Sequence, residues 1–347
     1  MTVSSEVSYV PVVVVDTSNL NEKDWLQYRR KGIGGSEVAA VLGLSPFCTA
    51  RDVYYDKRNI RPVCDEESNW VAKEVGHRLE DLVAEIFARK TGFKVFPIRK
   101  MFAHPDYPFL IADVDFFFET PDGRKGILEC KTCNYNAQDK WANHAVPVNY
   151  ELQCRHYMCV MNLDLAYIAC LYGNNENEFV YRKIERDRDY EMEIIEQLQC
   201  FWEENVQKGK EPPYTENGDL ILESIQRYLG QADPSAPNIN LKKSKAEILE
   251  QYLLLSEQKS NLAKQVKDLE NQMKKLTGLV VDDMGTSCTA TCAGKNVVYA
   301  VTYHPVYRTG INKDDLKRLE DNHPSIYNEY VKTTESRRFQ VKRKELA

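Results

Sequence analysis

The stretch LIADVDFFFETPDGRKGILECKT, residues 110–132, has the pattern of two β-strands joined by a tight turn. Its middle, TPDGR, is rich in turn-forming residues, and apolar residues dominate on either side. A hairpin centred on Asp122 sets Asp115 on the first strand opposite Glu129 on the returning strand. The stretch therefore predicts an antiparallel hairpin that brings two carboxylates together.

The charged residues of this hairpin predict a metal site. Residues two apart in a strand share a face, so Asp113 lies with Asp115, and Glu129 lies with Lys131. Converging carboxylates need a counter-charge, and all-oxygen ligation favours Mg²⁺ or Mn²⁺ over zinc. The alternative is a solvent-facing salt bridge between the strands, but FLIADVDFFF is too apolar for an exposed strand. Lys131 could then orient or help deprotonate the attacking water, or stabilise charge on phosphorus.

An aspartate followed on the next strand by Glu-x-Lys resembles the PD-(D/E)xK nuclease superfamily. Val114 stands where the nominal motif has proline, which leaves both Asp113 and Asp115 as candidate metal ligands, with Asp115 preferred for its pairing with Glu129. Three further stretches are similar to motifs of lambda-exonuclease-like proteins, also called YqaJ-type viral recombinases. They are DWLQYRRKGIGGSE (24–37), VGHRLEDLVAEIFARKTGFKV (75–95) and YELQCRHYM (150–158).

This resemblance implies both a fold and an activity. The fold is an α/β, restriction-endonuclease-like core with a mixed central sheet flanked by helices. The activity is a metal-dependent exonuclease that degrades linear double-stranded DNA from 5′-phosphate ends, 5′ to 3′, for phage-type recombination. The implied cofactor is Mg²⁺ or Mn²⁺. The implied partners are DNA ends, a single-strand annealing protein and further copies of the chain in a ring around DNA.

The resemblance also implies roles for residues on and near the hairpin. Asp115, Glu129 and the backbone carbonyl of Cys130 would hold the metal. Glu80 would assist at the metal directly or through water, although its charged helix is also compatible with a surface position. Lys131 would position the nucleophile.

Two more regions receive roles from the resemblance. Gln153 would support the metal-bound water or Lys131, unless it is an ordinary polar residue of its helix. Arg29 and Ser36 would hold the 5′-phosphate, with Ser36 capping the helix that follows and the glycines of GIGG (32–35) allowing close approach of the DNA backbone. Arg29 could instead be solvated beside Arg30.

Other functions are compatible with parts of this pattern. A Cas4-like nuclease with an iron–sulfur cluster needs three grouped late cysteines, and Cys200, Cys288 and Cys292 are badly spaced for that. A restriction-type endonuclease could share the same hairpin. A third alternative is a catalytically silent protein that binds DNA ends or acts in assembly, which the intact Asp, Glu and Lys set disfavours.

The chain divides by composition into four regions. Residues 1–215 mix helix and strand signals and form the predicted nuclease domain, and residues 216–240 form a linker rich in Pro, Asn, Gly and Asp. Residues 241–278 predict a coiled-coil-like helix, and residues 279–347 a small α+β region with a basic tail from Val331.

The helical region carries apolar residues at alternating steps of four and three, broken only by lysine. The positions of this repeat are Ile248, Tyr252, Leu255, Lys259, Leu262, Val266, Leu269, Met273 and Leu276. An ordinary amphipathic helix packed on its own domain is an equal alternative. After the helix, GLVVDDM (278–284) is expected to be a short strand.

Composition limits the class of protein. The 347 residues, 43% hydrophobic, can form one large domain with an appendage or two domains. A formal net charge of -6 does not favour extensive coating of nucleic acid but is compatible with a local basic groove. No apolar run has the length of a membrane span, and the N-terminus lacks the basic start of a signal peptide. Ten cysteines without a regular framework indicate free thiols. We therefore expect a protein of the bacterial or phage-infected cytoplasm.

Overall fold

The computed structural model describes residues 9–63, 70–230, 232–308 and 310–332. By contacts between its residues, the chain divides into two compact units, Met1–Pro234 and Ser235–Ala347. The first unit carries the predicted nuclease motifs, and the second carries the long predicted helix. Each unit is described by itself.

The first unit is a mixed α/β structure. Its strands are β1 (Val12–Asp16), β2 (Ile33–Gly34), β3 (Lys94–Phe96), β4 (Lys100–Ala103), β5 (Leu110–Asp113), β6 (Phe116–Glu119), β7 (Lys125–Thr132), β8 (Leu165–Leu171) and β9 (Phe179–Glu185). Its α-helices are α1 (Glu22–Arg29), α2 (Gly35–Val41), α3 (Ala50–Lys57), α4 (Trp70–Thr91), α5 (Val148–Met161), α6 (Arg188–Cys200) and α7 (Gly218–Leu229). A 3₁₀ segment covers Tyr135–His144, and a π-helical segment, Phe201–Gln207, continues α6.

These strands form two sheets. A five-stranded sheet has the order β3-β6-β7-β8-β9, in which β7 and β8 are parallel and the other neighbours are antiparallel. The parallel pair is connected through α5, as a parallel connection requires a crossover. The second sheet has the order β1-β4-β5-β2. The prediction of an α/β fold with a mixed sheet and flanking helices is confirmed.

Helices cover both faces of the five-stranded sheet because β7 alternates apolar residues between them. Ile127 belongs to the core cluster that contains the inner face of α5, including Leu152. Leu128 belongs to the cluster on the opposite face, with Phe87 of α4. Glu129 and Lys131 share the face of Ile127, so the strand directs both toward α5.

The predicted hairpin is present in the predicted register, but its first strand is broken. β6 and β7 pair Phe116 with Leu128 and Phe117 with Ile127, which is the alignment centred on Asp122. The prediction of one continuous strand through FLIADVDFFFE is wrong, since β5 and β6 belong to different sheets. Between them, the Asp115 carboxylate accepts a hydrogen bond from the Cys130 N–H, so a side chain takes the place of a ladder partner.

The stretch expected to be a linker contains α7, which packs on the first unit. Ser224 Oγ donates to Asp52 Oδ1 at 2.9 Å, and Arg227 Nη1 does so at 3.1 Å. The rings of Tyr55 and Tyr228 lie 4.2 Å apart between centroids. The polar residues that indicated a linker include Ser224 and Arg227, which anchor this helix to α3.

The second unit begins with α8 (Ala246–Met284), followed by the antiparallel strands β10 (Thr289–Ala293) and β11 (Val298–Thr302) and the helices α9 (Lys313–Asn322) and α10 (Pro324–Tyr330). The predicted long helix is present and extends further than expected. Gly278 lies inside it, and the helix ends at Gly285 with a φ of 58°. The strand expected over 278–284 is therefore wrong. Most of the predicted basic tail, residues 333–347, lies outside the described residues.

Candidate active site

Glu129 is the centre of the candidate site. Its side chain is 1% exposed on β7, under α5. Its Oε1 accepts hydrogen bonds from Lys131 Nζ at 2.5 Å and from Gln153 Nε2 at 2.6 Å. Its Oε2 is buried and has no hydrogen-bond partner within the described residues. A buried carboxylate oxygen without a donor is costly, so this atom is available to a cation.

Asp115 lies at the break between β5 and β6, where it reaches the end of β7. Its Oδ2 accepts from the Cys130 N–H at 2.9 Å. Asp113 is directed elsewhere, because its Oδ2 accepts from Trp25 Nε1 at 2.6 Å. The structure therefore brings Asp115, and not Asp113, to the Cys130 backbone beside Glu129.

Glu80 approaches the same group from α4. Its Oε1 lies 3.7 Å from His77 Nδ1 of the preceding helical turn. Burial, together with the charge of Asp115, raises the pKa of Glu80 to about 7. A carboxyl group with such a pKa can exchange a proton near neutral pH.

Lys131 is the cation among these acids. Its Nζ contacts Glu129 and lies 5.1 Å from the ring centroid of Tyr150. Burial lowers the pKa of Lys131, but the charges of Glu129 and Asp115 outweigh this, and the net pKa is above the ordinary lysine value. The charged form of Lys131 is therefore favoured, and as an ammonium group it can donate hydrogen bonds.

The carboxylates of this group are not fully compensated by protein charges. Burial and then Asp115 raise the pKa of Glu129 to about 8, while Lys131 opposes the shift. Burial also raises the pKa of Asp115, against the effects of Lys131 and the Cys130 N–H. If all three carboxyl groups ionise, they exceed the single ammonium by two negative charges, which a divalent cation would neutralise.

The donor set fits a hard divalent metal in chemistry, although the side chains do not form a ready cage. Within the described residues, no three His, Cys, Asp or Glu side chains are grouped as a metal site. The unpartnered Glu129 Oε2 and the Asp115 carboxylate nevertheless provide oxygen ligands. The Cys130 carbonyl is compatible with them, since it points to the same side of β7 as the N–H that Asp115 accepts.

Arg29 and Ser36 lie together in a second part of the site. Arg29 ends α1 and its Nη2 donates to Ser36 Oγ in the first turn of α2. Its Nε lies 3.4 Å from Glu37 Oε1. Lys57 Nζ, whose side chain is fully buried, lies 2.8 Å from the Glu37 carboxylate. Arg29 is thus held by neighbours and is not a solvated side chain.

One expectation about this glycine-rich turn is wrong. The helix is capped by Gly34 and not by Ser36, because the Glu37 carboxylate accepts the Gly34 N–H at 2.8 Å. Two of the glycines are needed for packing within the protein. A Cβ at Gly35 would lie 2.6 Å from Cε1 of Tyr157, and one at Gly32 would lie 2.6 Å from the Phe109 carbonyl oxygen.

Tyr157 connects the two parts of the site, and the sequence did not single it out. Its hydroxyl accepts a hydrogen bond from Gln153 Nε2 at 3.3 Å, and Gln153 in turn donates to Glu129. Tyr157 also lines a small open concavity together with Trp25, Arg29, Gly34, Gly35, Met101, Ile111 and Asp113. The helical spacing of Gln153 and Tyr157, four residues apart, was the available signal.

The chain is similar to known proteins over the site and over most of its length. A family model described as "YqaJ-like viral recombinase domain" matches residues 24–164. The chain is 33% identical over 333 residues to "Uncharacterized protein YqaJ" of Bacillus subtilis (strain 168), covering 95% of this chain and 97% of that protein. The chain belongs to the YqaJ-like viral recombinase family. The YqaJ-like match includes every candidate site residue from Arg29 to Gln153, and the resemblance drawn from the motifs is confirmed.

Solved structures with detectable similarity include two exonucleases. The alkaline exonuclease LHK-Exo from Laribacter hongkongensis is 17% identical with a TM-score of 0.43, and the match covers 52% of this chain and 91% of that chain. The phage related exonuclease from Haemophilus somnus 129PT is 14% identical with a TM-score of 0.37, covering 52% and 96%. Among the described residues, every helix is too short or too polar to be a candidate membrane span.

Proposed function

We propose that this chain is a Mg²⁺-dependent exonuclease that degrades linear double-stranded DNA to prepare single strands for recombination. The observation that carries the proposal is the buried Glu129 carboxylate, which has one oxygen without a donor among the described residues and lies beside Asp115 and Lys131. Membership of a viral recombinase family supports DNA as the substrate.

The proposal assigns a task to each group around Glu129. Asp115, Glu129 and the Cys130 carbonyl would hold Mg²⁺, or Mn²⁺ in its place. When bound, the metal would supply positive charge to the phosphate and lower the pKa of a coordinated water. Lys131, as an ammonium, donates to a phosphate oxygen or orients the attacking water.

Two residues support this chemistry from helices. Glu80, with a pKa raised to about 7, can accept a proton from the nucleophile. Gln153 holds Glu129 Oε1 in place through its 2.6 Å hydrogen bond. Both would therefore affect turnover more than DNA binding.

We further propose that Arg29 and Ser36 bind the 5′-phosphate of the strand that is degraded, which sets the direction 5′ to 3′. Their direct contact, beside the concavity shared with Tyr157, supports this role. Three cations, Arg29, Arg30 and Lys57, lie with two carboxylates, Glu37 and Asp56, so this group has one positive charge in excess, which suits an anion. The carboxylate of Asp113 opposes it, although burial raises the pKa of that group.

The proposal extends to organisation and partners. Residues 1–215, together with α7, would contain the nuclease, and residues from 241 onward, with the basic tail, would make contacts outside the active site. A single-strand annealing protein would receive the product. A homo-oligomer enclosing the DNA would keep the enzyme on its substrate, in the cytoplasm of the bacterial or phage-infected cell.

The test is digestion of matched linear and covalently closed circular duplexes with Mg²⁺, using linear DNA with either phosphate or hydroxyl at its 5′ ends. We expect shortening of the phosphorylated linear DNA and no loss of circles. Rapid cutting of circles would instead indicate an endonuclease, and binding of ends without cleavage would indicate an assembly protein.

The same assay tests the phosphate site with a matched pair of variants. Arg29→Ala should reduce the preference for phosphorylated ends. Arg30→Ala is the control, because among the described residues Arg30 pairs with Asp56 at 2.9 Å and does not hydrogen-bond to Ser36. An unchanged preference in Arg29→Ala would remove Arg29 from the phosphate site without affecting the assignment of Glu129.

A further inference from the structure

The long helix α8 exposes a line of leucines. The helix has 39 residues, and none of its described residues is buried. Leu255, Leu262, Leu269 and Leu276 recur every seventh residue, and Leu262 and Leu269 are 60% and 59% exposed. In proteins, a helix gains most of its stability from packing its apolar face against another element. We therefore expect this exposed line of leucines to contact a partner.

The spacing identifies the kind of packing. With the leucines at heptad position d, position a is occupied by Lys259, Val266, Met273 and Val280. We call these eight positions the α8 seam. Between Ser256 and Gly278, apolar side chains other than Ala263 occur only on the seam. A stripe confined to a and d is typical of a coiled coil, whereas packing on a globular domain uses a wider face.

The composition of the seam favours two strands. Leucine at d with β-branched residues at a is the combination found in parallel two-stranded coiled coils, and Val266 and Val280 follow it. Met273 at position a does not distinguish between two strands and a larger number. Lys259 is a single charged residue at a, a feature that specifies register and strand number at a cost in stability.

The flanks of the seam are compatible with a second identical helix. The g positions are Gln258, Gln265, Gln272 and Leu279, and the e positions include Ser256, Ala263 and Thr277. Glu270 is the only charged residue among the flanking positions of these heptads. Identical helices therefore meet no repulsion there, and the flanks lack the charge pattern that would select a different helix.

We propose that α8 is a self-association element in which the α8 seams of two copies of this chain form a parallel, in-register coiled coil. In that register the two Lys259 side chains lie in the same layer, so the loss of stability from a charged residue at position a is confined to that layer. An antiparallel pair centred on Lys259 would leave Met273, Leu276 and Val280 without partners, because residues 273–284 would extend beyond the other helix. The paired length from Leu255 to Val280 is about 39 Å.

The mass of the full-length chain in solution tests the proposal. Sedimentation equilibrium compares the wild type with Leu262→Glu/Leu269→Glu, which places charges in two seam layers. The control is Lys264→Glu/Asn271→Glu, at the outward f positions. We expect the seam variant to have at most half the wild-type mass and the control to keep it. A seam variant of wild-type mass, or a wild type at single-chain mass at micromolar concentration, would overturn the proposal.

Oxidative cross-linking tests the orientation. Val266→Cys should yield a disulfide between two chains because the a residues of a parallel pair face each other, and Asn271→Cys on the outer face should not. The wild type controls for its own cysteines. Equal cross-linking of both variants, or none by Val266→Cys, would contradict the parallel register. The result does not depend on nuclease activity.

Discussion

Replacing Glu129 by glutamine tests the inference that this buried carboxylate lacks compensation in the metal-free protein. Oε1 accepts from Lys131 and Gln153, and Oε2 has no partner within the described residues. Glutamine keeps the shape and removes the charge. The variant should therefore avoid the cost of burying an ionised carboxylate while retaining the packing under α5.

The magnitude follows from the pKa of Glu129, which burial raises from 4.5 to about 8. Because the folded state holds a proton that the unfolded state has released, stability from this group is present below the unfolded pKa and is lost as pH rises through the folded pKa. One pKa unit corresponds to about 1.4 kcal/mol. From about pH 5 to about pH 8, the wild type should therefore lose about 3 kcal/mol relative to Glu129→Gln.

Urea unfolding in EDTA at these two pH values measures the difference. Glu196→Gln, on the exposed side of α6, is the control and should change the pH dependence by no more than about 0.5 kcal/mol. Adding Mg²⁺ at the higher pH should stabilise the wild type and leave Glu129→Gln nearly unchanged. The same pH dependence in the wild type and in Glu129→Gln would refute the reasoning, since Glu129 would then be compensated without a cation.

Two further substitutions test the support around the site. Asp52→Ala should lower the free energy of unfolding by about 3 kcal/mol, because Ser224 and Arg227 lose a buried acceptor. A change below about 1 kcal/mol in urea unfolding would show that α7 is not anchored there. Gln153→Met should reduce kcat roughly ten- to a hundredfold with little change in DNA affinity, because Glu129 Oε1 loses the hydrogen bond that orients it. An unchanged kcat would show that Gln153 contributes only packing.

The local chemistry of the hairpin was predictable from sequence. The turn centred on Asp122 and the two-residue period of strands determine which residues of β6 and β7 meet, and both are local properties. The same two-residue period predicted that Glu129 and Lys131 share one face of β7. It could not distinguish Asp113 from Asp115, because the choice depends on the break between β5 and β6 and on the Trp25 indole, far away in sequence.

Other features depended on tertiary contacts that composition does not encode. The stretch containing α7 is polar, yet Ser224 can be buried because its hydroxyl donates a hydrogen bond to Asp52. Ser36 was the obvious cap by residue type, but Glu37 reaches the Gly34 N–H and takes that place. Gly278 suggested a helix end, and α8 continues through it because one exposed glycine costs only about 1 kcal/mol in a helix.

The most direct test of the account is the release of nucleotides from a linear, 5′-phosphorylated duplex with Mg²⁺, by the wild type and by Lys131→Ala. Lys131 is the ammonium that pairs with Glu129 at the proposed metal site. We expect steady release by the wild type and none by Lys131→Ala, with duplex binding by the variant near normal. Nucleotide release by Lys131→Ala at the wild-type rate would contradict the assignment of this site.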